Sequence, residues 1–379
     1  MIEKYNEAYE SIVRAVYDNY PFFDKKELDN FKRLVDLFNL KISSIRTDED
    51  FFKLLNTFFK KIGNSHTRLG KYPGRRYYKP LNYVVKEQDD KYYLLYRNNP
   101  LGEIISVDGV PPKKIHQFAQ RLVPGASNYV NAVTLPWVLT SSSKKPAIVK
   151  LDRDNQKQTL KIIRSKIIEP NRKDQIGYRL INKEICYIKL GTFTYDDQDS
   201  KEINEFLSKS KAAGINKLIL DLRGNLGGNS RTAEKITQRL IDKKIKAGSV
   251  AYRDGISDPL KIRAQSREIE PQAPSLKFKT VVIVDSYCLS SCEIFISGLK
   301  YNGLAYLIGE KTGGGSGNPK KVTIPFGDKD FDIYISTWRF YHNNGTELES
   351  RGINPDLLVG NDIFKKQDVQ LRAAINFLK

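Results

Sequence analysis

Val281-Val282-Ile283-Val284-Asp285-Ser286-Tyr287-Cys288-Leu289-Ser290-Ser291-Cys292-Glu293 decides how the second half of this 379-residue chain folds. The apolar, β-branched start reads as a buried strand and the polar residues after it as a bend. Ile294, Phe295, Ile296 and Leu299 then form the apolar face of a helix. A serine at such a junction is held at an exposed corner, with the N–H groups of the helix start pointing towards it. Groups of that kind can hold an oxyanion. In isolation, Ser290-Ser291-x-Glu293 is more simply a capped helix start, with Glu293 supporting the first turn.

Outward from this stretch, strand and helix signals alternate. Strands are expected at Ile185 to Leu190, Leu218 to Asp221, Val281 to Asp285 and Leu304 to Ile308, with helices near 200–212, 230–242 and 291–301. That alternation predicts an α/β unit, 176–379, with a largely parallel sheet under covering helices. Leu218-Ile219-Leu220-Asp221-Leu222-Arg223-Gly224-Asn225-Leu226-Gly227-Gly228-Asn229 is a second strand, glycine-rich bend and helix start. Gly227 and Gly228 permit close backbone approach and can offer N–H donors to a carbonyl oxygen. Their spacing is not that of a dinucleotide loop, and Gly309-Glu310-Lys311-Thr312 does not keep the spacing of a phosphate-binding loop.

The first half differs. Residues 1 to about 62 carry helical periodicity, and 1–70 is expected to be a small helical domain. Its last helix opens at Thr47 with Asp50 three residues on, runs through Phe51, Leu54, Leu55, Phe58 and Phe59, and stops at Gly63. Asn64-Ser65-His66-Thr67 follows directly. Between 78 and 165, short alternating runs with one helix near 112–123 predict a compact β-rich module.

Bulk properties exclude several classes. No apolar run approaches the roughly 20 residues of a membrane helix, so no integral membrane segment is expected. The formal charge of +19 comes from scattered Lys and Arg rather than a basic stripe with aromatics, so solvated surface is favoured over a nucleic-acid partner. Cys186, Cys288 and Cys292 with only three histidines argue against a disulfide framework and a metal site, and no cofactor is expected. Met1-Ile2-Glu3-Lys4 lacks the basic-then-apolar order of a leader, which implies a cytosolic chain or one whose leader is gone.

Four segments then come together in order: Asp221-Leu-Arg-Gly-Asn-Leu-Gly-Gly228, Ser290-Ser-Cys-Glu293, Gly309-Glu-Lys-Thr-Gly-Gly-Gly315 and Glu349-Ser-Arg-Gly-Ile-Asn-Pro-Asp356. Their order and spacing resemble the tail-specific, or C-terminal-processing, protease superfamily. The likeness is strong from about 180 to 358 and weaker before that. It implies a ClpP/crotonase-like catalytic core, a PDZ-like module at 78–165, peptide or protein substrates and an extracytoplasmic setting. It also puts the nucleophile on Ser290. In the branch that uses a Ser–Lys pair, the lysine would fall on position 315, which is glycine here, with Lys311 as a fallback. The branch that includes the tricorn core protease, and resembles interphotoreceptor retinoid-binding protein, takes a histidine from a Ser-His-Thr segment. Ser65-His66-Thr67 matches it.

A serine hydroxyl needs a base within reach, and the base needs a partner that orients it. His66 is the candidate base, with Ser65 and Glu349 completing the set and Gly227, Gly228 and Ser291 as oxyanion donors. The ordinary roles of these residues are plainer: a histidine stabilised at a helix end, and a loop carboxylate paired with Arg351. His116 is expected on the exposed side of a lysine-rich helix. His342, before Asn343-Asn344-Gly345, is the rival base and is expected beside a hairpin turn. A silent relative that binds a peptide or apolar ligand is the alternative from another class.

Overall fold

The computed structural model describes residues 2–70, 77–97, 99–166, 175–255, 258–362, 364–365 and 367–379, the side chain of Ile2 excepted. The first three helices are α1 (Ile2–Asn19), α2 (Lys25–Ile42) and α3 (Asp48–Ile62). A capping box opens α2, where Asp24 accepts the Glu27 N–H at 2.8 Å and Glu27 accepts the Asp24 N–H at 3.0 Å. Thr47 Oγ1 accepts the Asp50 N–H at 3.1 Å to start α3, and Gly63, at φ 82°, ends it.

Each of these helices has one apolar stripe and cannot bury it alone. Their shared core therefore takes in Ile324, Phe326, Phe331, Ile333 and Ile335, which come from the hairpin Lys320–Phe326/Lys329–Ile335. The short strand Arg68–Leu69 pairs antiparallel with that hairpin, Arg68 opposite Tyr334. The helical unit expected from 1–70 is thus completed by a hairpin about 260 positions further along the chain, and the turn at 64–67 is trapped between the two.

A five-stranded antiparallel sheet follows, its strands adjacent in chain order: Tyr83–Gln88, Lys91–Tyr96, Asn99–Val107, Ala147–Arg153 and Gln156–Ile162. Two helices accompany it, α4 (Pro112–Gln120) and α5 (Ser127–Thr134), where the sequence suggested one. No side-chain cap bond marks the start of α5, so its onset lacks the usual signal. His116 is buried rather than exposed. Its Nδ1 meets Tyr92 Oη at 2.9 Å and its Nε2 meets the Asn131 carbonyl at 3.1 Å.

The remaining chain forms the expected mixed α/β unit. Its six-stranded sheet runs in the order Leu357–Leu358, Ala305–Gly309, Lys279–Val284, Lys217–Asp221, Ile185–Leu190, Ile176–Ile181. All neighbours are parallel except the last pair. Helices α6 (Asp197–Ala212), α7 (Ser230–Leu240), α8 (Ser291–Lys300) and α9 (Val369–Leu378) cover it. One face is sealed by a large core under α6, α7 and α8, and the other packs against α9. In register, Asp221 lies opposite Ile283 and Val284 opposite Gly309. The bends after these three strands therefore leave the same sheet edge, where open parallel sheets gather their functional loops.

Candidate active site

Ser290 sits at the corner between its strand and α8 with φ 61° and ψ −126°, a conformation a non-glycine residue adopts only under constraint. Its hydroxyl makes no cap bond to the helix, which removes the simple capping role. The backbone around it is fixed. The Leu289 N–H donates to the Asn225 carbonyl at 3.1 Å, the Ser290 N–H to the Gly315 carbonyl at 2.9 Å, and the Glu293 N–H to the Ser290 carbonyl at 2.9 Å. Ser290 itself is half-buried and within reach of solvent.

The strap after the strand Ala305–Gly309, residues 312–317, touches both chemical segments. Glu293, fully buried, anchors it: Oε1 accepts the Gly314 N–H at 2.8 Å and the Thr312 hydroxyl, and Oε2 accepts the Gly315 N–H at 2.9 Å. Burial raises this carboxyl to about 7, against the pull of those donors. The first-turn support expected of Glu293 is thus replaced by a grip on the strap. A side chain at position 315 would run into Ser65 Oγ and Leu289 Cδ1, so glycine there lets the Ser65 and Ser290 segments close on the same residue. A lysine at 315 and Ser65 in its present place exclude each other, and Lys311 is exposed.

His66 follows the αL cap of α3 in a tight turn. Asn64 Oδ1 accepts the His66 N–H at 2.9 Å, the Thr67 N–H at 3.0 Å and the Ser336 hydroxyl at 2.6 Å, and Thr67 Oγ1 accepts the Ser336 N–H at 3.0 Å. Gly317 stands against the other side, where a side chain would come within 3.0 Å of His66 Cβ. The imidazole is buried, and Nδ1 meets Ser65 Oγ at 3.1 Å. Burial, with a smaller push from Arg68, lowers the ring to about 4, so it is neutral over the ordinary pH range. Among the described residues the ring makes no hydrogen bond to Ser290.

Glu349 is no solvated loop carboxylate. Oε2 accepts the Ser316 N–H at 2.8 Å, while Oε1 is sealed from solvent and has no partner among the described residues. Burial raises the carboxyl to about 8, and the N–H groups of Ser316 and Ser65 oppose that rise. No ion pair with Arg351 occurs among the described residues. Glu349 thus holds the strap at Ser316, and the strap in turn lies against Ser65 at Gly315.

Of the three expected oxyanion donors, Gly227 is already engaged, its N–H going to Asn225 Oδ1 at 2.7 Å. The Gly228 and Ser291 N–H groups have no acceptor among the described residues. Gly227 lies flat on the corner, its Cβ position only 2.9 Å from Ser290 Cβ and 3.1 Å from the Ser291 nitrogen. Upstream, Asp221 accepts from Tyr187 Oη at 2.8 Å and from Arg223, which also pairs with Asp368 at 2.7 Å. His342 belongs elsewhere. It flanks the expected turn, is buried, and binds Ser297 Oγ through Nδ1 at 2.8 Å, about 10 Å along α8 from Ser290.

A hydroxyl on a strained strand-to-helix corner, N–H groups left open beside it, and a neutral buried histidine packed against the same strap are features that acyl-transfer chemistry can use. Residues 184–359 match Peptidase family S41. It is 24% identical over 225 residues to the carboxy-terminal processing protease CtpB of Bacillus subtilis (strain 168), covering 55% of this chain and 44% of that one. It is 26% identical over 232 residues to a probable CtpA-like serine protease of Staphylococcus haemolyticus (strain JCSC1435), covering 60% and 43%. The chain thus spans less than half the length of these relatives. Mature CPAF complexed with lactacystin shares the fold with a TM-score of 0.78 at 11% identity, over 99% of this chain and 97% of that one. The tricorn protease does so with a TM-score of 0.55 at 18% identity, over 100% of this chain and 36% of that one. Among the described residues, no helix is long and apolar enough to cross a membrane.

The sequence reading missed Asn64, Ser336, Asn225 and the role of Glu293. Asn64 had a signal, since Asn after a Gly helix stop commonly accepts N–H groups two and three residues on. Ser336 had none.

Proposed function

We propose that this chain is a serine endopeptidase that cleaves peptide bonds through an acyl-enzyme on Ser290. Ser290 Oγ attacks the peptide carbonyl carbon while its proton passes to His66. The tetrahedral oxyanion is held by the Gly228 and Ser291 N–H groups, and collapse expels the amine, which takes the proton from His66. Water then releases the acyl group by the same route reversed. Burial keeps His66 unprotonated over the ordinary pH range, at the cost of a weaker base. Ser65 Oγ orients Nδ1 and turns Nε2 to the reaction, with Glu349 supporting Ser65 from behind. Direct contact between Ser290 and His66 is expected to form on substrate closure, since such bonds are often loose in free enzymes.

One observation carries the reading: position 315 is bonded to Ser290 through its carbonyl and lies against Ser65 through its Cα, so nucleophile and base segments share one residue. The same reading takes the core as ClpP/crotonase-like and 78–165 as a PDZ-like module. It gives peptides or proteins as substrates, no cofactor, and an extracytoplasmic setting. Ser290→Ala should lower hydrolysis of an unstructured protein such as casein at least about 1,000-fold, with an unchanged circular dichroism spectrum and no labelling by a fluorophosphonate. Full turnover in that variant would overturn the proposal. Failure of the parent protein to label under folding conditions would favour the silent peptide-binding relative instead.

A further inference from the structure

The bend between the strand Lys217–Asp221 and α7 contains a side chain whose every polar group is used. Asn225 is fully buried. Its Nδ2 donates to the Leu190 carbonyl at 2.7 Å, and its Oδ1 accepts the Gly227 N–H at 2.7 Å. Its backbone N–H donates to the Leu222 carbonyl at 3.0 Å, and its carbonyl accepts the Leu289 N–H at 3.1 Å. One residue therefore joins the end of a neighbouring strand, the glycine loop and the residue just before Ser290.

We infer that Asn225 is a positioning residue that locks the glycine loop to the nucleophile corner and sets the Gly228 and Ser291 N–H groups as the oxyanion donors. By holding the Gly227 N–H, Oδ1 turns that peptide away from the reaction and fixes where the next one, ending in the Gly228 N–H, points. Gly227 and Gly228 have φ of 96° and 136°, a region open to many glycine conformations, so the loop depends on an outside constraint. The amide supplies part of it, with a donor on one side and an acceptor on the other, and the Phe193 N–H, donating to the Gly227 carbonyl at 2.9 Å, holds the next peptide from the far side. This inference rests on the acyl-transfer reading above and adds to it which groups bind the developing charge, and what aims them.

Removal of a constraint on an oxyanion donor weakens binding of the transition state and leaves the ground state nearly untouched. Asn225→Ala should therefore lower kcat about 100-fold with KM changed less than about 3-fold. Asn225→Asp supplies a second measurement. A protonated carboxyl has the same donor and acceptor as the amide, whereas the carboxylate cannot donate to the Leu190 carbonyl. The kcat of Asn225→Asp relative to the parent should rise at least about 10-fold between pH 8 and pH 5, as the buried carboxyl gains its proton. Should Asn225→Ala not fold, this pH ratio decides alone. A kcat within about 3-fold of the parent in Asn225→Ala, or a flat ratio in Asn225→Asp, overturns the inference while Ser290→Ala stays inactive. Turnover by Ser290→Ala would instead overturn the reaction itself.

Discussion

At Ser290 a strand and a helix that abut in sequence make the corner, and the Gly315 and Asn225 carbonyls hold it, whereas at His66 the turn is held by a residue about 270 positions away. The serine corner lies between a strand that ends at Val284 and a helix that begins at Ser291, with bonds from Leu289 to Asn225 and from Ser290 to Gly315 steadying it. The histidine turn is short and polar, and its shape depends on Ser336, whose N–H and hydroxyl reach Thr67 and Asn64. One half of the site is thus placed by adjoining elements and steadied from a distance, and the other depends on distant residues for its shape. The strap at 312–317 is the place where they are brought to the same scale, clamped by Glu293 on the serine side and by Glu349 on the histidine side.

If the two halves form one machine, the largest effect comes from removing the base. His66→Ala should lower kcat about 10,000-fold or more, and the double variant with Ser290→Ala should be no worse than either single one, because groups that act as a unit do not lose activity multiplicatively. Steady-state hydrolysis by the two single variants and the double one measures this. Losses that multiply would mean that the residues act separately and that the comparison joins unrelated parts.

The next effect sharpens the histidine side. Glu349 is held at about 8 instead of its ordinary 4.5, chiefly by burial. Between those values the folded chain binds more protons than the unfolded one. The contribution of Glu349 to stability is therefore complete below about pH 4.5 and is lost as pH rises through 8. His66 works in the opposite direction, since its folded value of about 4 lies below 6.5, so its stability contribution is present above 6.5 and is lost as pH falls through 4. For catalysis an ionised Glu349 favours the imidazolium that forms in the transition state. Activity should therefore rise through about pH 8 while stability falls. Glu349→Gln should show neither slope, with kcat at pH 9 about 10-fold to 100-fold lower than the parent. Paired pH profiles of kcat and of urea unfolding test this, and an unchanged activity slope in the variant would assign it to another group.

The difference between the two halves is also why one was more legible than the other. The four strands and three helices expected in the α/β unit stood within a few residues of their places because each is set by its own apolar period, whereas strands such as Ile245–Arg253 and Ile262–Ile269 and the last helix were not expected. The strand and helix that abut around Ser290 placed it at a corner, and only its resemblance, with three other ordered segments, to a known superfamily made it the proposed nucleophile. Glu293 was visible as a residue but not as an anchor, since its partners lie about twenty residues on in a glycine-rich strap that has no period of its own. The shared core of α1, α2 and α3 with the hairpin at 320–335 was hidden for the same reason. An apolar stripe states that it must be covered and does not say by what. Gly227 was expected to donate to substrate, and only the Asn225 side chain, invisible as a partner in a linear reading, shows that its N–H is taken.

The smallest effect separates stability from positioning within a single helix. Thr47 and Gly63 cap the two ends of α3, which at 15 residues is about 22 Å long. Thr47→Ala loses the bond its hydroxyl accepts from the Asp50 N–H and the one it donates to the Asp50 carboxylate, and should cost about 1 kcal/mol. Gly63→Ala meets no atom within 4 Å, so its cost comes from φ 82° alone and is again about 1 kcal/mol. The two variants should lose nearly equal stability in chemical denaturation, yet they differ in what lies beyond the cap. Past Gly63 come Asn64 and His66, so relaxing that αL turn shifts the three bonds that Asn64 Oδ1 accepts and should lower kcat several-fold. Thr47 faces the far end and should leave kcat unchanged. Equal kcat in both variants would show that Asn64 and Ser336 fix the histidine without help from the helix, making the base segment still less local than the present contrast holds.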